Sequence, residues 1–230
     1  MVRAQLTNFF IFLGEGEQHS AVFADVIVRI CQKAASVEEM EKEMGKFCTD
    51  EAITDKFGQV VHERPARICR HIIPHLAGER VLEIGSWNKM VGHGIVAMTG
   101  KHVEGTVYSE GAILPHGTKS FDTTVCIAML HHVNDPAKLL SEAARVSSRR
   151  IIVIETINSP QENQQMVHTF MDWFYNSILH GLTNLPYNYR SPQEWEQLFA
   201  QNGLKVALSK DMGVDNPLIP VHHWLYVLER

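Results

Sequence analysis

Glu83, Glu110, His131 and His132 stand at or near the ends of apolar runs. Glu83 lies inside Val81-Leu82-Glu83-Ile84, immediately before Gly85 and Ser86-Trp87. His131 and His132 follow the apolar run Val125-Cys126-Ile127-Ala128-Met129-Leu130, and Glu110 follows Val107-Tyr108-Ser109. A carboxylate at a strand end can accept hydrogen bonds from a ligand or from nearby amides, and an imidazole can take up a proton near neutral pH. For each residue a structural role stands beside the chemical one. Glu83 would bond only backbone amides, Glu110 would be a solvated turn residue, and the His131-His132 pair would be framework. Two further histidine pairs, His71/His75 and His222-His223, carry no metal in this reading. Pro74 disturbs the helix that would present the first pair, and no third ligand completes a set.

Alternating elements must position these residues. Ser20–Lys33 has apolar residues at helical spacing, Ser36 to Glu39 reads as a helix start, and Ala66–Leu76 reads as a helix with Pro65 near its first turn. From Arg80 strands alternate with helices. The expected strands are Arg80–Ile84, His102–Tyr108, Thr123–Ala128, Arg150–Glu155, Leu204–Ser209 and His222–Leu228. The expected helices are Val91–Thr99, Pro136–Val146 and Pro192–Asn202. Such alternation predicts an α/β fold, a Rossmann-like doubly wound and mostly parallel sheet with helices on both faces. Only 12 residues separate Tyr108 from Phe121, too few for a helix and a strand, so the fold should be shortened after its second strand. The 36 residues between Glu155 and Pro192 exceed a plain crossover. They predict a helical insertion over 156–191, rich in aromatics. Those aromatics close over the site as a lid, pack on the N-terminal helices as core, or do both. The expected division is an N-terminal helical cap over 1–76 and a main domain over 77–230.

Two stretches together carry a family resemblance. Arg80 to Gly92 reads RVLEIGSWNKMVG, and Phe121 to Pro136 reads FDTTVCIAMLHHVNDP. The pair resembles the class I S-adenosylmethionine-dependent methyltransferases, in particular the group whose fourth strand reads FDxVxxxxxLHHxxDP. The resemblance runs over roughly residues 62–230. It implies S-adenosylmethionine as cofactor, held by Glu83, Gly85, Ser86, Trp87, Glu110, Ala128, Met129 and Leu130. The family's first strand ends in a pattern like [DE]xGxGxG, of which Glu83 and Gly85 remain while Trp87 and Lys89 replace the later glycines. Val107 stands where similar proteins carry the acid for the ribose. Glu110 matches the acid of the family's D-A-x-x-L-P segment, which meets the adenine amine, in Glu110-Gly111-Ala112-Ile113-Leu114-Pro115, and the shortened connection could instead swing it to the ribose. His131 and His132 are the candidate catalytic bases, needed only if the acceptor must lose a proton.

Composition narrows the partners. Net charge is −5, with 21 Lys and Arg against 26 Asp and Glu and both signs spread along the chain. The absence of a basic cluster argues against nucleic acid and points to a small-molecule substrate, partly apolar in view of the aromatic insertion. The four cysteines form no CxxC pair, which fits reduced thiols and a cytoplasmic setting. No run reaches membrane-spanning length. The expected activity is methyl transfer to a small molecule. The alternative is a methyltransferase-like protein with lost or altered cofactor use, acting as a binding or regulatory partner or in another reaction. Acceptor atom and oligomeric state are not legible.

Overall fold

The structure, a computed structural model, describes residues 2–12, 16–36, 39–40, 42–44, 64–85, 89–157, 164–174, 176, 185–216 and 219–230. The chain divides into two compact units. One comprises Met1–His62, Asn158–Leu185 and Val214–His222, and the other Glu63–Ile157, Pro186–Gly213 and His223–Arg230.

The second unit is built on a sheet. Its elements are α3 (Arg64–Ile72), β1 (Arg80–Ile84), α4 (Met90–Thr99), β2 (His102–Thr106), β3 (Phe121–Ile127), α5 (Pro136–Val146), β4 (Ser147–Thr156), α7 (Pro192–Gln201), β5 (Lys205–Asn216) and β6 (Ile219–Glu229). The six strands lie in the order β2-β1-β3-β4-β6-β5. β1 pairs in parallel with β2 and β3, β3 pairs in parallel with β4, and β6 runs antiparallel to β4. The doubly wound fold is therefore as expected, with β3 beside β1. Neither helix nor strand intervenes between Thr106 and Phe121, so β2 directly precedes β3 in chain order.

Side-chain alternation sorts the sheet into two faces. Leu82, Ile84, Cys126, Ile151 and Val153 pack with Leu140, Trp195, Phe199 and Tyr226. Val81, Val125, Ile152 and Ile154 pack with Ile68, Ile72, Val91 and Ile95 of α3 and α4. Helix α3 thus belongs with the sheet, although the sequence groups it with the N-terminal helices. It ends at Ile72, and Pro74 falls in a 3-10 turn, Ile73–His75, so His71 and His75 do not share a helix. The helix starts follow capping chemistry. Asp135 caps α5 ahead of Pro136, and Ser191 and Glu194 form a reciprocal capping box at α7. A Ser or Asp followed at once by Pro fits this geometry, because Pro needs no donor in the first turn.

The first unit contains α1 (Val2–Phe12), α2 (Glu17–Lys33) and α6 (Gln164–Trp173). Phe9 meets Phe170 and Phe174 at ring distances of 6.2 and 6.1 Å, and Phe10 meets Phe23 at 5.4 Å and Phe170 at 6.3 Å. Aromatics of the insertion therefore pack as core with the N-terminal helices, the second of the two roles expected for them.

Candidate functional site

The carboxyl ends of β1 and β3 lie side by side, since Ile84 pairs with Cys126. At the end of β1, Gly85 adopts φ +85°, and its N–H donates to the Thr106 carbonyl oxygen at 2.8 Å. A Cβ on Gly85 would lie 2.6 Å from Cγ and Sδ of Met129. Only glycine satisfies both the torsion and the close approach of the two strand ends. Glu83, two residues earlier, faces α4. Its Oε2 accepts the Gly92 N–H at 2.9 Å within a buried setting. A Cβ on Gly92 would lie 2.7 Å from that oxygen, so Gly92 lets the helix start approach the carboxylate. An acid there also meets the positive end of the helix dipole. The donor is thus an amide of α4. Lys89 precedes α4 at φ 52°. It holds the left-handed conformation natural to glycine, and its side chain crosses Gly105 of β2.

The end of β3 is tied down from two sides. Ala128, also left-handed at φ 48°, donates its N–H to Ile154 O at 2.7 Å. Glu155 near the end of β4 accepts from Met129 N at 3.0 Å and Leu130 N at 2.7 Å. Its second oxygen lies 2.5 Å from His131 Nδ1, and both side chains are fully buried. From the other side comes Pro186–Tyr189. Asn188 donates its backbone N–H to His131 O and its side-chain N–H to Val133 O, each at 2.8 Å. His132 Nδ1 lies 3.0 Å from Pro186 O. A carbonyl oxygen only accepts, so Nδ1 of His132 carries a hydrogen in this contact. Tyr189 stacks on His131 at 5.1 Å, and Tyr187 stands edge-on to His132 at 5.8 Å.

Glu110 lies in the short connection after β2. It is exposed, and its two oxygens accept the N–H groups of Asn134 and Asp135 at 2.9 and 3.0 Å. The same connection is fastened to α5. Glu142 accepts from Leu114 N at 2.8 Å, and Arg145 donates to His116 O and Leu114 O at 2.7 and 3.0 Å. Val107 is 49% exposed and its side chain has no acceptor to offer.

Of the residues expected at the site, Glu83, Gly85, Ala128, Met129, Leu130, His131 and His132 come together around the ends of β1 and β3. Glu110 reaches the loop that follows. Ser86 and Trp87 lie outside the described residues. Sequence reasoning missed Glu155, although an acid closing the apolar run Ile151-Ile152-Val153-Ile154 was a visible signal. It also missed the left-handed backbone of Lys89, which Gly-to-Lys replacement conceals.

Comparison with known proteins points the same way. A sequence family described as a methyltransferase domain matches residues 60–209. No curated protein sequence matches the chain. Among solved structures, mitomycin 7-O-methyltransferase MmcR is 14% identical with a TM-score of 0.55, over 92% of this chain and 69% of that one. A chain from the complex of the Haloferax volcanii Trm112 methyltransferase activator with its methyltransferase is 13% identical with a TM-score of 0.53. It covers 77% of this chain and 93% of that one. A Thermotoga maritima S-adenosylmethionine-dependent methyltransferase is 15% identical with a TM-score of 0.50, over 77% and 96%.

Proposed function

Because the chain belongs to this methyltransferase-domain family, with the class I Rossmann-like fold, we propose that it transfers a methyl group from S-adenosylmethionine to a small-molecule acceptor. One observation carries the reading: left-handed Gly85 and Ala128 stand where β1 and β3 end, and Lys89, also left-handed, caps the start of α4. Two of them are not glycine, a conformation that costs roughly 1–2 kcal/mol per residue. Such strain persists where the surroundings over-determine it, typically at ligand sites. The crevice outside the carboxyl ends of parallel strands is also where ligands bind in open α/β sheets.

The residues fit the cofactor chiefly through backbone. Gly85 brings bare main chain to the turn after β1, and the peptides of Ala128–Leu130 would line the adenosine. The ribose hydroxyls need an acceptor that Val107 lacks. Glu110 takes that role, since each carboxylate oxygen can accept beyond the single amide it holds. When bound, the cofactor supplies a methyl already activated by the sulfonium charge. The protein's work is alignment and exclusion of water. His132 Nε2 can take the proton of an acceptor that must lose one. The half-buried Tyr187 and Tyr189 suit a partly apolar acceptor, and the mixed surface charge does not suit nucleic acid.

A second reading, altered cofactor use, is favoured by Glu83 and Glu110, both of which already bond backbone amides. Calorimetric titration separates the two. Saturable binding of S-adenosylmethionine and S-adenosylhomocysteine supports methyl transfer, and heat indistinguishable from dilution supports the alternative.

A further inference from the structure

We infer that Glu155 is a positioning residue for the cofactor crevice, acting through the Met129–His131 segment. The inference rests on the cofactor reading above. By strand alternation Glu155 points to the same face as Ile151 and Val153, and it is 0% exposed. A carboxylate in such surroundings persists only where donors surround it. It meets three: Met129 N at 3.0 Å, Leu130 N at 2.7 Å and His131 Nδ1 at 2.5 Å. All three come from consecutive residues directly after left-handed Ala128. One side chain therefore fixes both the peptide planes that would line the adenosine and the hydrogen on His131. The carboxylate can only accept, so Nδ1 of His131 carries the hydrogen. Glu155 touches no ligand position itself. Removing its charge would let the segment leave the conformation that Ala128 holds under strain, and the crevice wall would move.

The test is Glu155→Gln in the full-length protein. The replacement amide keeps one oxygen and turns an NH2 group toward His131, so the ring must exchange tautomers to accept from it. Nitrogen-15 spectra of wild type should show His131 with hydrogen on Nδ1, and those of E155Q with hydrogen on Nε2. S-adenosylhomocysteine affinity of E155Q should fall about tenfold or more at a temperature where both proteins are folded, the scale of a hydrogen bond to a charged acceptor. A packing role alone would lower melting temperature without switching the tautomer. If wild type binds and folded E155Q binds equally well, the inference is overturned whatever the tautomer. If wild type itself does not bind, the cofactor reading fails and takes this inference with it. Should E155Q not fold, Glu155→Asp takes its place: its shorter side chain cannot hold all three donors, so S-adenosylhomocysteine should bind about tenfold more weakly, and equal binding overturns the inference.

Discussion

The two ends of the sheet use the same chemistry for different ends. At the amino end, Asp122 accepts the backbone N–H groups of Glu79 and Arg80 at 3.0 Å each, with the Arg80 guanidinium nearby and water within reach. At the carboxyl end, Glu155 likewise accepts two amides and the Nδ1 hydrogen of His131, with both side chains fully buried. Asp122 staples β1 to β3 beside left-handed Gly78, where a Cβ would lie 2.4 Å from the Asp122 side chain. Glu155 holds a strained turn, and Glu83 holds the start of α4. Water can replace Asp122's bonds if the acid is lost. It cannot replace those of Glu155, so loss there should be felt most strongly.

The largest effect should follow Glu155→Ala. It strands the Met129 and Leu130 amides and the His131 ring hydrogen, and each lost bond to a charged acceptor costs about 1.5–3 kcal/mol. Urea unfolding would measure it, and a loss under 1 kcal/mol would erase the contrast between the two ends. Next is Gly85→Ala. The φ of +85° and the 2.6 Å approach to Met129 should together cost about 1–3 kcal/mol. Gly100→Ala, at φ +70° with nothing within 4 Å of its Cβ, should cost about 1 kcal/mol. Equal melting temperatures for the two variants would show that crowding at the crevice contributes nothing. Glu83→Gln should cost about 1–2 kcal/mol, as the Gly92 amide loses a charged acceptor at a helix start.

A comparably small effect belongs to Asp122. The Arg80 amide holds its carboxyl down at about 2, helped by the Glu79 amide and the Arg80 guanidinium and against partial burial. A depressed folded-state value means that its contribution is present above the ordinary carboxylate range, near pH 4. It is lost as pH falls through about 2. Asp122→Asn should cost about 1 kcal/mol at neutral pH and flatten the stability curve between pH 4 and 2. Parallel acid-unfolding curves for wild type and variant would contradict this origin of the shift.

Much of this arrangement was legible in the sequence, for identifiable reasons. Asp135-Pro136 and Ser191-Pro192 carry their capping chemistry locally, so α5 and α7 begin where expected. The shortened link after β2 follows from counting residues. The Gly85 turn was legible because φ > 0 calls for glycine. The partners were not. Glu83 meets Gly92 and Glu110 meets Asn134 and Asp135 through tertiary placement, which no local pattern encodes. Lys89 hides a glycine-like conformation behind a long side chain. Glu155 reads as an ordinary strand end until β3 and β4 are laid side by side.

The central claim is that the crevice at the ends of β1 and β3 receives the cofactor. Amide hydrogen exchange with and without S-adenosylhomocysteine tests it most directly. The account predicts slowed exchange at Gly85 and across Ala128–Leu130, with the Glu79 and Arg80 amides at the opposite end unchanged. No slowing in the crevice at saturating ligand, or slowing confined to other segments, would contradict it.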